Sequence, residues 1–240
     1  RMINKKKQGS LFLIPSSLEQ ENKKEFLIEN EKKEIRHIKN FIVENEKVAR
    51  ASLKLLNLKT KIQEIKLTLH NKKNTLENID QYFEPILKGE DIGLLSDSGN
   101  PCIADPGSIV VQRAHELDIR ISPLIGPSSI LLGLIASGFN GQNFKFHGYI
   151  PIKESERNKF INDIEKIIKA ERETQIFIET PYRNNQLLVE LTRKLNDEVK
   201  LCLAINLTSD NEKIISETIG KWRKRDLPDL NKQLCIFLVN

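Results

Sequence analysis

This chain has little of what announces a special chemistry. Its three cysteines, Cys102, Cys202 and Cys235, lie far apart, fit no zinc-ligand spacing and make an odd number. A disulfide framework and a metal site are therefore not expected, and free thiols in a reducing, cytoplasmic compartment are the simplest reading. Aromatic residues make up 6% of the chain, with a single tryptophan, Trp222. The longest apolar runs, such as 130–135, fall far below the roughly 20 residues that span a bilayer. The basic start, residues 1–10, leads into no signal-length apolar region, so no membrane role is expected. Neither Gly-x-Gly-x-x-Gly nor Gly-x-x-x-x-Gly-Lys-Ser/Thr follows an apolar strand. Those absences exclude the dinucleotide fingerprint and the P-loop.

What is present is a chain of 240 residues, 39% hydrophobic, with a formal net charge of +5. That length allows two domains of ordinary size, each with its own core. The charge is concentrated. Between residues 45 and 73, Lys47, Arg50, Lys54, Lys59, Lys61, Lys66, Lys72 and Lys73 face only Glu46 and Glu64. This one segment carries more than the excess of the whole chain, which is the footprint expected of a nucleic-acid binder; a solvated helix face has the same composition.

Apolar runs alternate with helical patterns. Strands are expected at 10–14, 41–44, 62–69, 92–95, 119–125, 144–149, 175–178, 200–207, 213–219 and 233–239. Helical spacing occupies 33–40, 46–56, 75–87, 106–117, a stretch opened by 126–129 that runs to 136, 154–170 and 182–195. The alternation predicts an α/β fold, and its length fits two α/β domains, 1–123 and 124–240.

Residues 92–107, Ile-Gly-Leu-Leu-Ser-Asp-Ser-Gly-Asn-Pro-Cys-Ile-Ala-Asp-Pro-Gly, carry the most information. A buried strand runs into a loop of small residues, and Asp105-Pro106 reads as an N-cap and first helical position. Gly126-Pro127 and Thr180-Pro181 repeat the device after later strands. Each is expected to open a helix whose free N–H groups receive a polar ligand, and three such starts on one cleft would make a cofactor site.

These residues resemble the tetrapyrrole methylase superfamily. The loop 96–107 is similar to its signature, more closely to the branch that methylates a ribose 2′-hydroxyl of a cytidine in small-subunit ribosomal RNA. Further matches follow in order at 11–15, 126–129, 137–138, 146–151 and 179–183. The resemblance implies two α/β domains, a homodimer, and S-adenosylmethionine in the cleft between the domains. Carried over by position, the cofactor would meet Pro15, Ser96, Gly99, Asn100, Pro101, Ile103, Ser128, Ser129 and Tyr182. Two departures stand out. Pro15-Ser16-Ser17-Leu18 replaces the branch's Pro-x-Gly-Asn, and Glu44-Asn45-Glu46-Lys47 replaces its Glu-Asp-Thr-Arg. The branch's C-terminal extension is not found after the strand ending at Val239.

A ribose hydroxyl is a weak nucleophile, so a general base is expected near the cofactor. Glu44, Asp97, Asp105 and Glu179 are the carboxylates nearest the motifs. Asp105 is better read as a cap, and Glu179 reads equally well as a partner of Arg183, four residues on. Glu44 is the catalytic candidate, because it ends a strand beside the basic segment. His147 sits in an apolar strand and reads as a packed residue. Lys47 and Arg50, on successive turns after Glu44, are the candidates for gripping RNA phosphates. Residues 221–225, Lys-Trp-Arg-Lys-Arg, pair cations with an aromatic, but Trp222 is expected in the core. Two other functions fit the same motifs: methylation of a small tetrapyrrole precursor, or a non-catalytic RNA-binding or ribosome-assembly module.

Overall fold

The computed structural model describes residues 8–19, 25–70 and 76–240. Residues 1–7, Lys72, Lys73 and Thr75, which enter the expectations above, lie outside them, as do the side chains of 76–78. The chain divides into two compact units, 1–128 and 129–240.

The first unit is built on a five-stranded sheet of β1 (Ser10–Ile14), β2 (Asn40–Val43), β3 (Lys66–Leu69), β4 (Ile92–Leu95) and β5 (Arg120–Pro123), in the order β3-β2-β4-β1-β5. Every pairing is parallel. A parallel sheet must be covered on both faces, which is why its central strands read as unbroken apolar runs. On one face Phe12, Ile14, Phe41 and Val43 pack against Ile35 of α1 (Glu29–Ile35) and Ala49 and Leu53 of α2 (Glu46–Leu53). On the other, Leu11, Ile42, Ile92 and Leu94 meet Phe83, Ile86 of α3 (Glu84–Leu87), and Val110 and Ala114 of α4 (Ser108–Glu116). Gly93 interrupts β4 because the Phe41 ring lies across it: a Cβ there would sit 2.6 Å from Phe41 Cδ1.

The second unit carries β6 (Phe144–Tyr149), β7 (Thr174–Ile178), β8 (Lys200–Ile205), β9 (Lys213–Thr218) and β10 (Cys235–Val239), in the order β6-β7-β10-β8-β9. Only β6 and β7 are parallel; the remaining pairs are antiparallel. β10 is buried on both faces. Cys235, Phe237 and Val239 join the core built with α6 (Glu154–Glu171) and α7 (Asn184–Lys194). Ile236 and Leu238 instead meet Gly133 of α5 (Ser129–Ser137), where the missing side chain lets the helix lie close.

Several expected boundaries move, each for a local reason. The strand at 62–69 shortens to β3 because its partner β2 offers four residues; Ile62–Glu64 is a 3-10 turn instead. The helix at 75–87 becomes a 3-10 stretch, Leu76–Phe83, followed by α3, since Pro85 has no N–H to continue the series. The helix at 33–40 is α1, shifted back to an acidic first turn, Glu29 and Glu31, that suits the helix dipole. A short helix, α8 (Ile219–Trp222), takes the end of the strand expected at 213–219.

None of the three prolines is a first helical residue. Pro106 and Pro127 lie two positions before α4 and α5, and Pro181 lies three before α7. Asp105 does not cap α4. Its Oδ1 accepts from the N–H groups of Cys102 (2.9 Å) and Gly107 (2.8 Å), closing a turn ahead of the helix. The cap the sequence does encode is Asn45, whose Oδ1 accepts from the N–H groups of Lys47 (2.9 Å) and Val48 (3.3 Å). Replacing Asn45 with alanine is expected to destabilise the first unit by about 1 kcal/mol, read from the urea midpoint in far-ultraviolet circular dichroism.

Candidate functional site

All five strands of the first unit are parallel, so their carboxyl ends share one edge of the sheet, the usual ligand edge of α/β folds. The loops that leave β1, β4 and β5 there are tied to one another. Ser16 N–H donates to the Gly99 carbonyl (2.9 Å) and Gly99 N–H donates to the Ser16 carbonyl (3.0 Å), a two-residue bridge across 83 positions of sequence. Gly99 adopts φ +70°, and a Cβ on it would press on Leu18 Cδ2 and the Pro127 carbonyl. Asn100 Nδ2 reaches the carbonyls of Gly126 and Pro127, both at 3.3 Å. Ser98 Oγ donates to the Leu18 carbonyl (3.3 Å), and Ser16 Oγ shares a hydrogen bond with Ser52 Oγ of α2 (2.8 Å). The unusual Pro15–Leu18 stretch is thus an ordered wall of the site: Pro15, Ser16, Ser17 and Leu18 are all buried.

The loop 96–107 is tightly wound. Ser96 Oγ donates to the Ser98 carbonyl (3.0 Å), and Cys102 and Ala104 hold positive φ angles of 71° and 60°. Pro101 is buried beneath it, while Ile103 is 51% exposed and offers an apolar shelf. Burial, reinforced by the Asp105 charge, pushes the Cys102 thiol up to about 11. It is neutral at pH 7 and no nucleophile.

Glu44 follows β2 at the same edge, half-buried, and its Oε1 accepts from the Asp97 N–H (3.3 Å). It lines a cavity of about 10 Å3 with His70, Pro101, Asp105 and Pro106, room for roughly one water. His70, passed over in the sequence, is 7% exposed and holds the loop from below. Its Nε2 lies 3.0 Å from the Pro106 carbonyl, so this nitrogen carries the proton, and Nδ1 faces Tyr82 Oη at 3.4 Å. The only sequence signal was a lone histidine at the end of an alternating strand.

The other candidates are placed as follows. Lys47 is exposed on α2, as are Lys54, Lys59, Lys61 and Lys66 beyond it. Arg50 is half-buried, with Nη1 donating to the Ile62 carbonyl (2.9 Å), so it braces α2 against the turn after it. Ser128 is half-buried at the end of the first unit. Ser129 and Tyr182 belong to the second unit, the former opening α5 and the latter 77% exposed in the turn after β7. Just before that turn Glu179 is buried, and its Oε1 accepts from the Thr180 N–H (2.6 Å) and Arg183 Nη2 (2.7 Å), the second of the two roles open to it. His147 is half-buried on β6, with Nε2 at 2.7 Å from Gln175 Oε1 and its ring edge-on to Phe160. Burial holds its pKa below the usual range. Trp222 is fully buried and donates to the Leu201 carbonyl (2.9 Å).

Comparison with known proteins gives this arrangement its relatives. Ribosomal RNA small subunit methyltransferase I of Buchnera aphidicola subsp. Schizaphis graminum is 30% identical over 173 residues, 71% of this chain and 59% of that protein. The proteins of the same name from Haemophilus influenzae and Pseudomonas aeruginosa are 33% and 30% identical, across 66% and 73% of this chain. This chain covers 55% and 62% of those two, less than two thirds of its curated relatives' length. Among solved structures, the methyltransferase CobJ aligns over 97% of this chain and 94% of its own with a TM-score of 0.63 at 13% identity. Cobalt precorrin-4 methyltransferase CbiF aligns over 96% of this chain and 94% of its own with a TM-score of 0.60 at 11% identity. Those identities speak to the fold alone. The model of the tetrapyrrole (corrin/porphyrin) methylases matches residues 41–222, about three quarters of the sequence, and the chain belongs to that family.

Proposed function

We propose that this chain is an S-adenosylmethionine-dependent methyltransferase that modifies a ribose 2′-hydroxyl of a cytidine in small-subunit ribosomal RNA, acting as a cytoplasmic homodimer. The observation that carries the reading is the cradle of loops after β1, β4 and β5. Small residues there bring backbone within contact distance of backbone, which suits a ligand recognised largely by main-chain groups. The names of the curated relatives and the exposed lysines from Lys47 to Lys66 support RNA as substrate.

The residues present fit the cofactor. Pro15, Ser96, Gly99, Pro101 and Ser128 would shape its seat, Ile103 would supply apolar contact, and Asn100 would hold the loop after β5 in place. When bound, S-adenosylmethionine would supply a methyl group activated by its sulfonium, the C–S bond breaking and the sulfur leaving as a neutral thioether. The chain's task is then to align the hydroxyl oxygen with that carbon and to accept a proton. Alignment accounts for most of the rate in such a displacement. Glu44, held by the Asp97 N–H at the strand edge, takes the ribose proton as the oxygen bonds to carbon.

Two measurements test this. Incubated with methyl-labelled S-adenosylmethionine and small ribosomal subunits from a strain lacking the enzyme, the chain should place label on a ribose of the RNA. Label in a small tetrapyrrole, or in nothing, overturns the reading. In the same assay Glu44→Gln should lower kcat by about 10²–10⁴-fold without changing cofactor affinity, because the amide oxygen still accepts from Asp97. An unchanged kcat removes Glu44 from the chemistry.

A further inference from the structure

The second unit carries a basic groove that the methyl-transfer site does not use. It lies open to the surface between α7 and the segment after α8, measures about 350 Å3, and is lined by Val189, Arg193, Trp222, Arg223, Arg225 and Leu227 among others. That volume is in the range of ordinary ligand sites. No carboxylate lines it.

The three arginines are not equivalent. Arg223 is committed to the fold. Its Nε donates to the Thr192 carbonyl (2.7 Å), its Nη2 to the carbonyls of Arg193 (3.2 Å) and Leu195 (2.7 Å), and its Nη1 pairs with Asp197. These are carbonyls of the last turn of α7, so Arg223 caps that helix and neutralises the negative end of its dipole. The charge of Arg193 and Arg225 is therefore left to act outward, and both side chains are exposed. Arg225 is also oriented. Its guanidinium carbon lies 5.1 Å from the centroid of the Trp222 ring, and that ring is fully buried and hydrogen-bonded at Nε1. A cation held over a fixed aromatic face loses little further freedom when a ligand arrives.

A planar cation held beside a fixed aromatic ring, with a second exposed arginine lining the same groove and no carboxylate in that lining, offers the groups by which an unpaired nucleobase and its phosphate are held. We propose that this groove binds single-stranded RNA, a base stacking on Arg225 and a neighbouring phosphate meeting Arg193. The inference rests on the RNA reading above and adds to it a second RNA contact region, carried by the second unit. Trp222 does not touch the RNA. It holds the arginine that does.

The test uses the whole chain and a dye-labelled, unstructured RNA of about twelve nucleotides, within the range of known single-strand sites, read by fluorescence anisotropy across a salt series. Arg225→Lys keeps the charge and removes the plane; it should weaken binding at least about fivefold, the lower end of one lost stack, without changing the salt slope. Arg193→Gln should weaken binding and lower the slope by about 0.7, as for one phosphate on a single strand. An abasic strand of the same length should not distinguish Arg225→Lys from the unaltered protein. The urea midpoint in far-ultraviolet circular dichroism and S-adenosylmethionine affinity should be unchanged in both variants, which separates a lost contact from a lost fold. Wild-type RNA affinity in both variants overturns the groove and leaves the methyltransferase reading standing, since label transfer is measured independently. Failure of the unaltered chain to bind the RNA, or equal loss on the abasic strand in Arg225→Lys, also overturns it.

Discussion

Replacing Gly126 with alanine is expected to cost the protein most of its S-adenosylmethionine affinity. A Cβ at this position would lie 2.1 Å from Pro15 Cβ, 2.3 Å from Pro15 Cγ and 2.9 Å from Asn100 Oδ1. The proline ring has no rotamer by which to withdraw, so the loops after β1 and β5 must separate. The Gly126 carbonyl is also one of the two that Asn100 Nδ2 holds, and the displacement strains that clamp as well. Overpacking of this kind costs about 1–3 kcal/mol. If the cradle must be restored before the cofactor binds, the affinity falls by about tenfold or more, at about 1.4 kcal/mol for each tenfold. Gly141, where a Cβ would meet nothing within 4 Å, is the control: Gly141→Ala should stay within about 0.5 kcal/mol of the parent. Calorimetric titration with S-adenosylmethionine decides the matter. Unaltered affinity in folded Gly126→Ala means that the joined loops after β1 and β5 are not the cofactor seat.

That clash marks where the sequence stops being legible. The strands could be read because buried sheets leave a plain trace: Ile92–Leu95 and Cys235–Val239 are continuous apolar runs with every residue inside. The site loops could be located because Ser, Gly, Asn and Pro cluster where those runs end. What each loop residue does could not be read. Ser16 pairs with Gly99 and Asn100 reaches Gly126 only through a strand order that sets β1 between β4 and β5, and no local pattern carries that order. Asn100 stands in the expected ligand loop, and its amide has the further task of joining that loop to the one after β5. Arg50 stands in the basic segment, and one of its nitrogens also serves a backbone carbonyl. Asp105 had the sequence of a cap but closes a turn, because loop N–H groups compete with helix N–H groups for the same oxygen. Asn45 is a cap by type and position, a short polar side chain directly before the first turn of α2.

The second large effect lies in the second unit, where Glu190→Gln should destabilise the fold by several kcal/mol at neutral pH. Arg157 of α6 and Glu190 of α7 are 6% and 7% exposed and meet as a bidentate pair, Nε to Oε2 at 2.8 Å and Nη2 to Oε1 at 2.7 Å. Gln186 Nε2 adds a bond to Oε1 (3.1 Å), and Arg157 Nη1 holds the Ile152 carbonyl (2.5 Å). Removing one charge leaves the other buried and uncompensated, at a cost of about 3–5 kcal/mol. The hydrogen bonds from Arg157, ahead of all other influences, bring the Glu190 carboxyl from its ordinary 4.5 down to about 2, a drop worth about 3 kcal/mol at 1.36 kcal/mol per pH unit. Because the folded pKa lies below the unfolded one, this stabilisation is complete above pH 4.5 and is lost as pH falls from there toward 2. The stability gap between the parent and Glu190→Gln should therefore be widest at neutral pH and narrow steadily below 4.5. Trp222, the single tryptophan and buried in the core that also contains Leu187 and Leu191 of α7, reports the unfolding of this unit directly. Urea titrations followed by its emission at pH 7, 4 and 3 measure the gap. A gap that stays constant with pH would mean that the Glu190 carboxyl is no stronger an acid in the folded state than in the unfolded one, and that the charge of the pair contributes nothing to stability.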